Sequence, residues 1–461
     1  MHRYRVTILL VAILSTLAAA TAWPQGFGLY EQSPCAMGRG GAGVAAPCPD
    51  ASSVFFNPAG LSFTTTQVGL GGAVVGPRGH FTDSATSQIS TLNDHWYPVP
   101  NVYFSTPLAK RFAFGIGVFA PYGLTTDWPV TSEGRYLGYK SLVQAVYLQP
   151  TLALKFSDKF SVGAGVDVTY LNVQLRQRVD LATQLLPALP GVPPGTTFQA
   201  LGVKLGTDFA DLDLKGHVWH PGYHLGILIK PSEHFSIGAR YLSGQEVDLN
   251  DGTIETTQIS VPYSLPFAIP GVPAGTPLDV LLKPQFAPGQ PLGNQKASTR
   301  LPLPAQFVVG TALQIVPKVK LLLDYQFTRW SMFDQLPVNG QFLKSVVIES
   351  YRDTHGARLG TEIALSDKSV LRAGTDLHTA AAPDQTVTPN LPEGWRQEYA
   401  VGFGRQLWER LRFDFAYMRL VQPDRAGRTT NAGKAAPTAA DNNGTYRFGA
   451  NLLGASLSLK F

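Results

Sequence analysis

Two arginines lie where a strand would turn them away from its greasy face. Around 343–365, Leu359, Ile363 and Leu365 place odd positions on one side, and Arg352, Arg358 and Glu362 on the other. Around 235–248, Phe235, Ile237 and Tyr241 likewise oppose Ser236, Gly238 and Arg240. A guanidinium gives a carboxylate a fixed two-pronged donor, and a carboxylate leaving water needs such a partner. Arg240 and Arg358 are therefore candidates for binding an acidic head group. The alternative is that they pair with wall acids such as Glu362 or Asp376.

Other chemistry-bearing patterns are weaker. Of His217, His220 and His224, only His220 and His224 share a strand face, and carbonyl or water partners suit them better than a metal. Gly38-Arg39-Gly40-Gly41-Ala42-Gly43 has dinucleotide spacing, but no strand precedes it and no βαβ unit follows. No Gly-x-Ser-x-Gly elbow supports an esterase. No catalytic residue, metal or cofactor is expected, and the chain does not read as an enzyme.

The elements that hold these residues follow from composition. The 461 residues include 46 Gly and 35 Pro, too many for a helical bundle, and only 15% are charged. Aromatics at 11% exclude a disordered chain. A formal charge of +5 is no basic stripe, so nucleic acid is not a partner.

Residues 1–22 read as a signal peptide: Arg3 and Arg5, an apolar run from Val6 to Leu14, then Ala20-Thr21-Ala22. Beyond it no uncharged stretch escapes Pro or Gly, which excludes a spanning helix. Two-residue alternation recurs instead, as in Phe112, Phe114, Ile116 and Val118 against Ala113, Gly115 and Gly117. About 14 such strands are joined alternately by tight turns and long loops, the longest near 177–216 and 249–303. In lipid a spanning sheet must close on itself. Residues 66–461 are thus expected to form an all-β, antiparallel transmembrane barrel in the bacterial outer membrane. Residues 23–65, with Phe27, Leu29, Val54, Phe55, Phe56, Leu61 and Phe63, are expected to fill its lumen as a hatch. Cys35 and Cys48 both lie in this hatch, where an exported chain permits oxidation. A bridge there is worth roughly 3 kcal/mol; two buried thiols are the alternative.

The run Gly26-Phe27-Gly28-Leu29-Tyr30-Glu31-Gln32-Ser33 and the motif Phe56-Asn57-Pro58-Ala59-Gly60-Leu61 resemble the hatch of FadL-type outer-membrane transporters. The resemblance continues through Leu148-Gln149-Pro150, Phe160-Ser161-Val162-Gly163, Phe327-Thr328-Arg329-Trp330 and Tyr351-Arg352-Asp353-Thr354. It implies a monomer in outer-membrane lipid that passively takes up long-chain fatty acids or other hydrophobic molecules. It further implies capture between extracellular loops, a lumenal site touching Phe27, and sideways exit at a kinked third strand. Gly115 and Gly117, before Pro121, are the candidate bend; small residues packing against the hatch are the alternative. Aromatic hydrocarbon is the rival cargo, and an outer-membrane lipase the rival class.

The long loops carry an echo, Leu189-Pro190-Gly191-Val192-Pro193-Pro194-Gly195-Thr196 against Ile269-Pro270-Gly271-Val272-Pro273-Ala274-Gly275-Thr276. Apolar residues flank both copies, which calls for mutual packing or a capture groove.

Overall fold

A computed structural model describes residues 26–186, 193–427 and 442–461. The signal segment and Leu189 to Val192 of the loop echo lie outside them.

Fourteen antiparallel strands close into a barrel. In chain order they are β1 (Gln67–Asp83), β2 (Tyr97–Pro107), β3 (Phe112–Asp127), β4 (Lys140–Ser157), β5 (Phe160–Asp180) and β6 (Asp208–Ser232). Strand β7 runs as Phe235–Leu242 then Gln245–Gln258, and β8 as Gln295–Leu303 then Gln306–Val316. There follow β9 (Val319–Thr328), β10 (Thr354–Ser366), β11 (Ser369–His378), β12 (Arg396–Gln406), β13 (Leu411–Val421) and β14 (Gly444–Lys460). Strand β1 pairs with β14 from Gln67↔Lys460 to Asp83↔Gly444, closing the sheet on itself.

The alternation predicted from sequence is observed. Leu152, Val166, Leu323 and Val401 are more than half exposed on the outer face, while Asp167, Asp324, Arg358 and Asp414 are buried inside. Tyr223, Tyr325, Tyr399 and Tyr417 are exposed on the same outer face, with Phe156, Trp408 and Phe461 near the short turns; such aromatic girdles mark the two membrane interfaces.

Several boundaries differ from the sequence reading. Residues 343–365 are not one strand: a hairpin of Gln335–Gly340 and Lys344–Ile348 precedes β10. The long loops are shorter than expected, because β5, β6, β7 and β8 extend past the apolar band as a polar wall. Polarity interrupts the lipid-facing pattern there, yet the backbone ladder carries on. The hatch residues from Gly26 on pack against the strands, with a short helix α1 (Pro34–Met37), a second α2 (Ser53–Phe56) and a 3-10 turn over Pro58–Phe63. Tyr30, Cys35, Met37, Phe55 and Leu61 are all buried, and Cys35 and Cys48 form a disulfide.

Candidate functional site

The hatch is fastened to the wall by polar groups that could not otherwise be buried. Asp324 on β9 accepts the backbone N–H groups of Gly43 and Val44 at 2.8 and 3.0 Å. Asn57 donates to Val44 O at 2.7 Å and to Ile227 O of β6 at 2.9 Å. Its Oδ1 accepts from Ala59 N at 3.1 Å, capping the turn that Pro58 starts. Ser161 donates to Ala59 O at 2.9 Å. The Asn57-Pro58-Ala59 motif is thus a corner that binds the hatch both to itself and to two strands.

Both candidate arginines face the hatch. Arg358 on β10 is held by Asp376 at 2.9 Å and by Gln326 at 2.6 Å, with its guanidinium 4.1 Å above the Tyr30 ring. Arg240 on β7 donates to Phe55 O at 3.1 Å and to Gln306 Oε1 at 2.7 Å, and stacks 4.2 Å from the Phe55 ring. The two differ in charge balance. Arg358 has its carboxylate, as the alternative reading required. Among the described residues Arg240 has none within ion-pair distance, its Nε has no partner, and it is 4% exposed. Arg352 lies outside the strand and is exposed, so the predicted lumenal position fails there, because Ser350 and Tyr351 break the ladder before β10 begins.

Phe27 is buried in an aromatic cage. Its ring lies 4.6 Å from Trp330, 6.1 Å from Phe333 and 6.3 Å from Tyr122, edge-on to each. Trp330 is wholly buried and its indole N–H has no partner among the described residues. Sequence reading missed Tyr122, Trp330 and Phe333 as neighbours of Phe27, since they come from β3 and from the turn after β9.

Strand β3 departs from β2 beside that cage. Pairing between them covers only Val102–Pro107 with Ala113–Val118. Toward the long loops β2 stays with β1 and β3 stays with β4, reaching Asp127↔Lys140. The register shift falls between Phe119 and Tyr122, at Ala120-Pro121. Gly115 and Gly117 therefore lie in regular ladder, not at the bend. A Cβ on Gly115 would come 2.7 Å from Val54 and 2.8 Å from Leu61, so its small size serves packing against the hatch. The bend needs Pro121 instead, which has no N–H to give a ladder. The hatch takes up the freed edge: Leu29 N donates to Pro121 O at 2.9 Å and Gly123 N to Phe27 O at 2.9 Å. Gln32 exchanges side-chain hydrogen bonds with both backbone groups of Ala120.

On the long-loop side, Leu175, Leu212, Leu214 and Ile254 of the wall face Leu336 and Val338 of the 335–348 hairpin across a groove of about 80 Å³. The two long loops themselves pack together through Phe198, Val203, Val261, Leu278 and Leu282. The described ends of the two copies close alike: Thr196 Oγ1 donates to Pro193 O, and Thr276 Oγ1 to Pro273 O, both at 2.7 Å.

His224 has partners other than a metal. Its ring bonds Asp167 at 2.6 Å and Thr151 at 2.9 Å. This resembles a nucleophile–base–acid chain, but all three groups are sealed within β4, β5 and β6. It ties strands together.

A barrel with an apolar cage at the hatch tip, beside two strands that cease to pair, suits greasy molecules better than ions. The family profile described as "Outer membrane protein transport protein (OMPP1/FadL/TodX)" matches residues 15–461. The chain belongs to the FadL family. It is an outer-membrane transporter of hydrophobic compounds, not an enzyme. It is 24% identical to the long-chain fatty acid transport protein of Escherichia coli K12, over 83% of this chain and 84% of that one. A Pseudomonas aeruginosa FadL homologue superposes with a TM-score of 0.76 at 21% identity, covering 95% of this chain and all of the other. The Pseudomonas putida toluene transporter TodX gives 0.63 at 17% identity, over 94% and 99% of the two FadL-type chains.

Proposed function

We propose that this FadL-family channel takes up long-chain fatty acids passively: capture in the groove under the 335–348 hairpin, transfer to the Phe27 cage, and sideways exit between β2 and β3. The observation that carries the cargo class is Arg240, a buried cation whose partners are all neutral. A carboxylate entering beside it meets its missing counter-charge, with a charge-assisted bond worth about 1.5–3 kcal/mol. The alkyl tail then takes the aromatic space that the Phe27 ring occupies. Displacing Phe27 costs its edge-on ring contacts, about 0.5–1.5 kcal/mol each, which burial of a long tail offsets at about 0.8 kcal/mol per methylene. The hatch strand that leaves with Phe27 is the one closing the β2–β3 gap. Binding and opening are thereby coupled.

The likeness to a toluene transporter favours a second reading, in which the cage takes aromatic hydrocarbons and Arg240 only holds the hatch. Uptake by proteoliposomes distinguishes the two. Labelled long-chain fatty acid should enter and small sugars should not; toluene entering while fatty acid stays out supports the second reading. Sugar leakage equal to fatty-acid flux contradicts both.

A further inference from the structure

At the short-turn end of the barrel, beneath the hatch, lies a cavity of about 530 Å³. Its roof is the underside of the hatch, from Ala45 to Pro49 with Phe63 and Thr64, and its wall comes from the ends of β6, β7, β8, β9 and β14. Lys230, Lys320 and Lys460 line it, and Lys155 approaches the same Phe63 ring. All four occupy inward-facing positions; their neighbours Phe156, Ile229 and Leu459 point outward to lipid.

The lining is net positive: Glu233, at the exposed rim, is its one carboxylate against three lysines. Lys155 pairs with Asp158 at 2.5 Å, and Lys320 approaches Glu362, already shared with Arg39 and Arg372, at 3.8 Å. Among the described residues, Lys230 and Lys460 have no carboxylate within ion-pair distance. Lys230 instead lies 3.5 Å from the centroid of the Phe63 ring, an attraction that weakly compensates a cation but leaves its charge in place. Like charges gathered in a concave, low-dielectric space repel and attract a counter-ion from solution. Beside the ammonium groups the cavity is greasy, with Ala46, Pro47, Phe63, Leu228, Phe235 and Ala312. An inorganic ion would leave that surface uncovered.

We infer that this vestibule binds a tailed anion, with one carboxylate or phosphate head at Lys230 and an alkyl chain against Phe63 and Leu228. The site is reached from the periplasm and is separated from the Phe27 cage by the hatch, so it stands whether or not the cargo entering from outside is a fatty acid. Its ligand has two sources with the same chemistry: a fatty acid on the periplasmic side, or an anionic phospholipid of the inner leaflet.

Lysine acetylation of the full chain in nanodiscs, followed by mass spectrometry, tests this. Lys368, exposed in a short turn away from the cavity, is the internal reference. Dodecanoate in phosphatidylcholine discs should slow modification of Lys230 relative to Lys368, about tenfold at ten times the dissociation constant. That result supports the site and identifies the free acid as a source. Slowing that appears only in phosphatidylglycerol discs supports it with the lipid as source. Equal protection by uncharged dodecanol contradicts the role of charge. Absence of protection under every condition overturns the site.

Discussion

Arg240 and Tyr122 are joined through a single side-chain amide. Gln306 accepts from Arg240 Nη2 at 2.7 Å and donates to the Tyr122 hydroxyl at 2.8 Å. Tyr122 bonds in turn to the carbonyl of Pro304, in the break between the two halves of β8, and edges onto Phe27. The charged end and the apolar end of the lumenal site are therefore one hydrogen-bonded unit. A ligand that reorients Gln306 at its head disturbs the cage at its tail.

Replacing Arg240 by Ala should weaken fatty-acid binding roughly 10- to 100-fold, from about 1.5–3 kcal/mol for a charged hydrogen bond. A neutral hydrocarbon of similar length should bind as before, because it never used the charge. Titration of both ligands into purified protein measures the difference. Equal losses would mean the arginine only holds the hatch.

Asn57→Ala should loosen the hatch while leaving the barrel closed. It removes donors to Val44 O and Ile227 O and the cap on Ala59 N, leaving buried carbonyls unsatisfied at about 1–3 kcal/mol. Single-channel conductance should rise above the wild-type background. Unchanged conductance and unchanged hydrogen exchange in residues 43–61 would show that Asn57 is not a fastening point.

The hatch tip should respond to pH through Glu393. This loop carboxyl is 1% exposed and accepts from the backbone of Gly26 and, at 3.0 Å, of Ala382. Burial pushes its pKa above the usual carboxylate range, against the opposing pull of Arg396 and the two amides. A group raised in the folded state stabilises that state below its unfolded pKa, and the benefit is lost as pH rises through the folded value. Protection of the Gly26–Tyr30 amides, corrected for intrinsic exchange, should fall as pH rises above the ordinary carboxylate range. Glu393→Gln should flatten that dependence. A pH profile unaltered by this substitution would remove Glu393 from the account.

The barrel was legible because lipid imposes period two on every strand. Leu359, Ile363 and Leu365 were enough to turn Arg358 inward, and Phe235, Ile237 and Tyr241 did the same for Arg240. What escaped was non-local. That Arg358 meets Asp376 while Arg240 meets no acid depends on which strands lie adjacent and on what the hatch presents. Glycine permits bending, so the sequence alone points to Gly115 and Gly117. The register shift instead followed Pro121, where a donor is missing and hatch residues Phe27 to Leu29 replace the lost partner strand. The 335–348 hairpin was hidden because its alternation resembles that of a spanning strand.

On the proposed uptake route, residues Phe27 to Leu29 close the β2–β3 gap and must leave for cargo to pass. Gly28 and Tyr122 form an antiparallel bridge, and beside it a Cβ on Gly123 would lie 3.7 Å from Leu29 Cγ, where a cysteine sulfur would sit, within reach of a disulfide. A Leu29→Cys, Gly123→Cys variant in proteoliposomes should therefore take up labelled fatty acid when reduced and stop when oxidised, recovering on addition of reductant. Uptake at the same rate in the oxidised form, with the cross-link verified by mass spectrometry, would contradict the account.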